Sequence, residues 1–181
     1  MWWSAELSPM TSLPILETDR LILRGFREDD APRIAHLNTD PEIMRYVRPA
    51  DNWGVAYHWA LEKARRQRPP FGFWIIEDRM SGWHGFALFQ PLPGTDELEI
   101  GFRLPKTSWG RGVASEAAAR LIRHGFEATE VPRICAVAYL ENTGSVSVLQ
   151  KCGLEHRGTI AAYGFDALPF FVLERERFEQ F

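Results

Sequence analysis

The stretch "ELEIGFRLPKTSWGRGVASEA", residues 97–117, decides how this chain folds and where its chemistry lies. Its first half alternates like a strand. Leu98, Ile100, Phe102 and Leu104 share one face, and Glu97, Glu99 and Arg103 share the other. Downstream the period changes: Ala114, Ala117, Ala118, Leu121, Ile122, Gly125 and Phe126 recur at helical spacing, which predicts a helix over Ala114 to Ala128 with one buried face. Between the two lie Gly110 and Gly112, either side of Arg111. At such a helix start the amides of Arg111, Gly112, Val113 and Ala114 lack intrahelical acceptors, and two glycines with a small Ala114 let an anion approach the backbone. A tight strand-to-helix turn without a ligand would use the same residues. No G-K-[ST] is present, and the glycines follow an antiparallel run instead of opening a βαβ unit, which disfavours a Walker-type loop or a dinucleotide site.

Two further features bear on chemistry. Glu97 suits an ordinary solvent face, whereas Glu99 stands two residues ahead of Gly101, a strand glycine that predicts a bulge or a close backbone approach. A carboxylate there, near an anion-binding turn, has the placement of a general base. In "ENTGSVSVLQKCGL" (residues 141–154) Asn142 is a good helix N-cap and Gly153 a good C-terminal stop. Ser145 stands three, four and seven residues before Val148, Leu149 and Cys152, so its hydroxyl faces inward and needs either a backbone carbonyl or a ligand as partner.

Working outward, "RLILRGF" (residues 20–26) reads as a strand, and Asp29 or Asp30 as the cap of a helix that tolerates Pro32. Asp40-Pro41 restarts a short helix. Trp53 to Arg68 reads as a longer one with Val55, Trp59, Ala56 and Ala60 inward and a basic end that suits either its own dipole or an acidic partner. Residues 71–78, 85–92 and 97–104 predict an antiparallel meander. Strand 133–139, helix 143–152 and closing strands near 155–163 and 169–174 follow. The expected class is α+β, or mixed α/β: a mostly antiparallel sheet of about seven strands flanked by helices.

The 181 residues are expected to hold one domain from residue 13 onward after a flexible tail over 1–12. With 45% hydrophobic and 25% charged residues the chain reads as a soluble globular protein, expected in the cytoplasm, with no membrane-length apolar run. A net charge of −3 argues against general nucleic-acid binding. Two cysteines, Cys135 and Cys152, lack metal spacing, so neither a metal site nor a disulfide framework is expected.

Taken together, Glu99-Ile100-Gly101-Phe102, Trp109-Gly110-Arg111-Gly112-Val113-Ala114 with Glu116, and Asn142-x-x-Ser145 ending in Lys151-Cys152-Gly153-Leu154 resemble the GNAT superfamily of acetyltransferases, in particular its ribosomal-protein-type branch. The likeness spans about Leu13 to Glu174 and implies a GNAT fold with a V-shaped splay in the sheet. It also implies acetyl-CoA as cosubstrate, with the pyrophosphate cradled by the amides of Trp109 to Ala114, although Trp109 replaces the usual Gln or Arg. The pantetheine arm would pair with the backbone of Phe102, Arg103 and Leu104, beside a strand near residues 136–139. Asn142 would contact the cosubstrate, Ser145 would protonate the departing thiolate, and Glu99 would serve, directly or through water, as base for a primary amine. That acceptor would be a protein N-terminus or a small molecule. A non-catalytic acyl-CoA-binding module of the same fold is the alternative, and the chain would be a monomer or a homodimer joined through an edge strand. Acceptor specificity is expected from residues 53–68 and from aromatic loops near Trp74, Trp83 and Tyr163 to Phe170.

Overall fold

A computed structural model describes residues 12–180. The expected tail lies outside them except for Ser12. Strands β1 (Leu16–Glu17) and β2 (Leu21–Gly25) lead into helices α1 (Ala31–Thr39), α2 (Pro41–Met44) and α3 (Trp53–Arg65). The meander β3 (Gly72–Asp78), β4 (Trp83–Pro91) and β5 (Leu98–Arg103) follows, then α4 (Val113–Ala128), β6 (Arg133–Val137) and α5 (Thr143–Lys151). The hairpin β7 (Glu155–Ala162) and β8 (Phe165–Glu174) and the short α6 (Arg175–Phe178) complete the chain.

All eight strands join one sheet in the order β1-β2-β3-β4-β5-β6-β8-β7. The count exceeds the expected seven because the two-residue β1 pairs with β2. Only β5 and β6 run parallel, and they are registered at a single pair, Glu99 opposite Cys135. Beyond that pair the two strands part. The resulting wedge lies at the middle of the sheet, where α4 connects its two sides.

Two apolar layers hold the sheet. On one face Ala117, Ala118, Leu121, Ile122 and Phe126 of α4 pack against Trp74, Ile76, Ala87, Phe89 and Ile100. Fully burying a side chain such as Leu121 contributes roughly 1.5–3 kcal/mol. On the other face Ile34, Leu37 and Ala60 of α1 and α3 meet Phe26, Phe73, Ile75 and Phe86. The polar face of β5 is met by Tyr163 of the β7–β8 turn at Glu99 and by Asn38 of α1 at Arg103, so it is not a solvent face.

Several local expectations change in the fold. Asp30 precedes α1 but does not cap it; its carboxylate accepts from the Arg27 amide at 2.8 Å and from both Arg24 Nη atoms at 2.8 Å. Asp40 does cap α2, accepting from the amides of Glu42 and Ile43. In α3, Ala56 and Ala60 are buried as expected, whereas Val55 is 51% exposed because α3 packs only a narrow stripe on α1 and the sheet. Its basic end finds partners on the chain itself: Arg65 pairs with Glu28, Arg66 with Glu62, and Lys63 lies over the Trp59 and Phe73 rings. The bulge expected at Gly101 is absent. The β4–β5 ladder runs in unbroken register from Pro91–Leu98 to Phe86–Arg103, and a Cβ at Gly101 would lie 3.2 Å from Leu88, so the glycine serves close approach.

Candidate active site

The loop after β5 has the backbone its sequence predicted. Gly110 and Gly112 have φ of 70° and 76°, and Gly112 is the left-handed N-cap of α4. Left-handed φ disfavours any residue with a Cβ by about 1–2 kcal/mol. The first amide beyond the loop to find an acceptor is that of Glu116, which bonds the Gly112 carbonyl at 3.0 Å; the amides of Arg111, Gly112, Val113 and Ala114 have none among the described residues. Four free N–H groups at the positive end of a 16-residue helix form an anion cradle.

Three side-chain clamps hold this loop. Glu116 accepts from Thr18 Oγ1 at 2.5 Å, from the Arg20 amide at 3.1 Å and from Arg20 Nε at 2.6 Å, tying the start of α4 to the β1–β2 turn. Burial alone would raise the Glu116 carboxyl, but those donors hold it below the usual carboxylate range. Trp109 donates from Nε1 to the Leu104 carbonyl at 2.9 Å. Finally, buried His84 bridges Ser108 Oγ at 2.9 Å and Asp78 Oδ2 at 3.1 Å, fastening the turn ahead of the loop to the β3–β4 hairpin. That order of Ser, His and Asp is not a nucleophilic triad, since Ser108 is only 2% exposed. The His84 bridge had no signal in the sequence, because Asp78 ends β3, His84 lies on β4 and Ser108 lies in the turn after β5.

The wedge between β5 and β6 is lined by Ile100, Gly101, Phe102, Ala136, Val137, Ala138, Ser145 and Leu149, enclosing about 80 Å³. Ser145 thus faces this slot from the first turn of α5. Asn142 caps that helix, its Oδ1 accepting from the Ser145 amide at 3.2 Å. Phe102 lines the slot. The Arg103 side chain turns the opposite way, donating to Asn38 Oδ1 and lying 5.3 Å from the Phe86 ring centroid. Burial, with Arg48 nearby, pushes the Arg103 guanidinium down to about 10.

Glu99 sits at the apex of the wedge and is 4% exposed. Its Oε1 accepts from Gln90 Nε2 at 2.8 Å and from the Tyr163 hydroxyl; Oε2 has no partner among the described residues. Burial raises the Glu99 carboxyl above its ordinary value, while the Tyr163 and Gln90 donors act in the opposite direction. Cys135, opposite Glu99, is held as a neutral thiol by burial and by the Glu99 charge. Cys152, pushed up to about 11 by burial, is equally unreactive. Glu97 is not free either: it pairs with Arg133 of β6, Nε to Oε2 at 3.0 Å.

A second cavity of about 620 Å³ opens beside this site. Met44, Tyr46, Val47, Tyr139, Glu141 and Phe165 are among its walls. It lies between the segment after α2, the β6–α5 loop and the start of β8. Of the segments expected to surround the acceptor, only the β7–β8 hairpin borders it; Trp74 is fully buried in the core with Nε1 bonded to the Pro14 carbonyl. Gln90 and Tyr46 were not singled out from the sequence, since neither belongs to a spaced pattern.

With this arrangement in hand, comparison with known proteins is decisive. Residues 20–155 match the family described as Acetyltransferase (GNAT) domain. The chain belongs to that family. It is 32% identical over 164 residues to an uncharacterized N-acetyltransferase, YoaA of Bacillus subtilis, covering 83% of this chain and 88% of that one. It is 31% identical over 157 residues to the FsC-acetyl coenzyme A-N(2)-transacetylase of Aspergillus fumigatus, covering 79% of this chain and 66% of the relative. Among solved structures, spermidine N-acetyltransferase from Vibrio cholerae in complex with CoA and spermine superposes with a TM-score of 0.73 at 16% identity, over 90% of this chain and 99% of that chain, a likeness of fold. No helix among the described residues is long and apolar enough to cross a membrane.

Proposed function

We propose that this GNAT acetyltransferase transfers the acetyl group of acetyl-CoA to a primary amine by direct attack within a ternary complex. The observation that carries the reading is the convergence of the unpaired amides of 111–114 with the wedge that opens beyond Glu99 and Cys135. The cradle suits a pyrophosphate, and the slot of about 80 Å³ lined by Phe102, Ala136 and Ser145 lies between two parting strands, where an extended chain could pair with backbone. The backbone of Phe102, Arg103 and Leu104 would pair with the pantetheine arm along it, while Asn142 orders the first turn of α5 beside it.

The roles follow from charge. An ammonium is not a nucleophile, so a base must remove its proton; Glu99 is the carboxylate at the apex, with Oε2 open to receive it. The thiolate that leaves needs a proton or a donor, and Ser145 is the hydroxyl on the wall of the slot. No covalent enzyme intermediate is needed, which agrees with two cysteines held as thiols. The motif at Trp109 to Ala114 together with Asn142 and Ser145 supports the ribosomal-protein-type branch. The acceptor, a protein N-terminus or a small-molecule amine, would enter through the 620 Å³ cavity.

Calorimetric titration with acetyl-CoA, followed by assay of CoA release across a panel of amines, tests the reading. Binding with amine-dependent release is expected. Binding without release from any amine would identify a non-catalytic module, and no binding would refute the cosubstrate.

A further inference from the structure

Tyr163 occupies a backbone conformation that a residue with a side chain rarely takes. It and Gly164 are the two central residues of the β7–β8 turn, closed by the pair Ala162–Phe165, with φ of 55° and 81°. Positive φ at both centres matches the type I′ hairpin turn, which favours Asn or Asp followed by Gly. Gly164 fits that preference; a tyrosine before it does not. The turn is anchored by the Tyr163 amide on the Pro93 carbonyl at 3.3 Å, and from there the phenol reaches β5 and donates to Glu99 Oε1. Gln90 Nε2 completes the group, 2.8 Å from Glu99 Oε1 and 3.2 Å from the Tyr163 hydroxyl. A disfavoured backbone that persists because it delivers one hydroxyl to one carboxylate is the pattern of strain retained at a working site.

We propose that Tyr163 is a positioning residue for the reaction: its hydroxyl, bonded to Glu99 Oε1, orients that carboxyl, so that the tip of the β7–β8 hairpin supports the base. This rests on the reading of Glu99 as base. A carboxyl buried in this sheet would otherwise favour its neutral form, which cannot take a proton from an ammonium. Two donors on Oε1 favour the anion and leave Oε2 without a partner among the described residues. The other groups that face Glu99 do not supply this. Cys135 on β6 is a buried neutral thiol, Glu97 and Arg133 two residues back cancel each other, and Arg103, further along the same face of β5, is bonded to Asn38.

The test is the pH profile of kcat for wild type and Tyr163→Phe, with acetyl-CoA and the best amine of the panel, whose own ionisation is common to both proteins. Because the phenol lowers the Glu99 pKa, its removal moves the acid limb to higher pH, by about one unit. The KM for acetyl-CoA, which is bound away from this hydroxyl in the proposed site, stays within about threefold of wild type. Tyr163→Asn, whose side chain tolerates positive φ but is too short to reach Glu99, keeps the turn and moves the limb the same way; its melting curve reports that the hairpin is intact. An acid limb at the wild-type pH in both variants overturns the proposal. Glu99→Gln in the same assay separates the two readings: if it retains wild-type turnover, the base assignment itself fails.

Discussion

The two sides of the cleft are made of different material. The proposed cosubstrate side is backbone: a few consecutive residues, Arg111 to Ala114, offer amides that Gly110 and Gly112 leave unobstructed. The proposed acceptor side is side chains gathered from afar: Gln90 on β4, Glu99 on β5, Tyr163 at a hairpin tip 64 residues further on, and the cavity walls from residues 44–50, Tyr139, Glu141 and Phe165. A site made of amides tolerates changes of side chain. One made of packed side chains sets its ionisation by burial, and is therefore as sensitive to packing as to residue identity.

The largest expected effect falls on the acceptor side alone. Glu99→Gln should lower kcat by about 10²–10³-fold in the CoA-release assay while leaving acetyl-CoA affinity unchanged by calorimetry. The same change should stabilise the fold. A carboxyl whose native pKa lies above its unfolded value contributes stability below the unfolded value and loses it as pH rises through the native one, so at neutral pH ionised Glu99 is a cost. Removing that cost should raise the melting temperature at neutral pH, as read in a thermal melt. A Glu99→Gln protein that melts lower at neutral pH would break the contrast between the two sides.

Gly112→Val should strike the opposite side. Forcing a β-branched residue to φ 76° beside Arg20 Nη2, 3.3 Å from the added Cβ, distorts the cradle. Weakening of acetyl-CoA binding by about tenfold or more is expected in calorimetry, with the KM for the amine nearly unchanged. Ser145→Ala is a smaller test: a thiolate already leaves readily, so kcat should fall by about threefold to tenfold, with product release visible as the slowed phase in pre-steady-state kinetics. Smallest is Glu116→Gln. Glu116 lies below its ordinary pKa, so its contribution is present at neutral pH and lost as pH falls through the native value. The variant should melt about 2–4 °C lower at neutral pH, with the difference vanishing in acid.

Much of the cosubstrate side was legible from the chain. The stripe from Ala114 to Phe126 reads as a helix face because 3.6-residue spacing leaves no alternative, and Asn142 reads as a cap because its role involves only the next three residues. Other local signals misled where a distant partner competed. Asp30 looked like a cap, but Arg24 takes its carboxylate; Gly101 looked like a bulge, but the nearness of Leu88 explains it. On the proposed acceptor side the sequence pointed to Glu99 and to the segment Tyr163 to Phe170 separately, and left no trace of the contact between them. Tyr163 read as one aromatic among several, and nothing in "YGF" (residues 163–165) announces a hydroxyl aimed at Glu99.

Read alone, then, the chain determined its class of fold, the strand-to-helix turn with bare amides, the Asn142 cap, and the identity of Glu99 and Ser145 as candidates. These depend on φ, on unpaired N–H groups and on period, all of which act over a few residues. The burial of Glu99, its two donors, the parting of β5 from β6 after one registered pair, and the cavity for an acceptor arose only when both faces of the sheet were covered and a hairpin folded back across β5. Ionisation and shape at that site depend on what lies within a few ångströms in space, and neighbours in space are chosen by the packing of the whole domain.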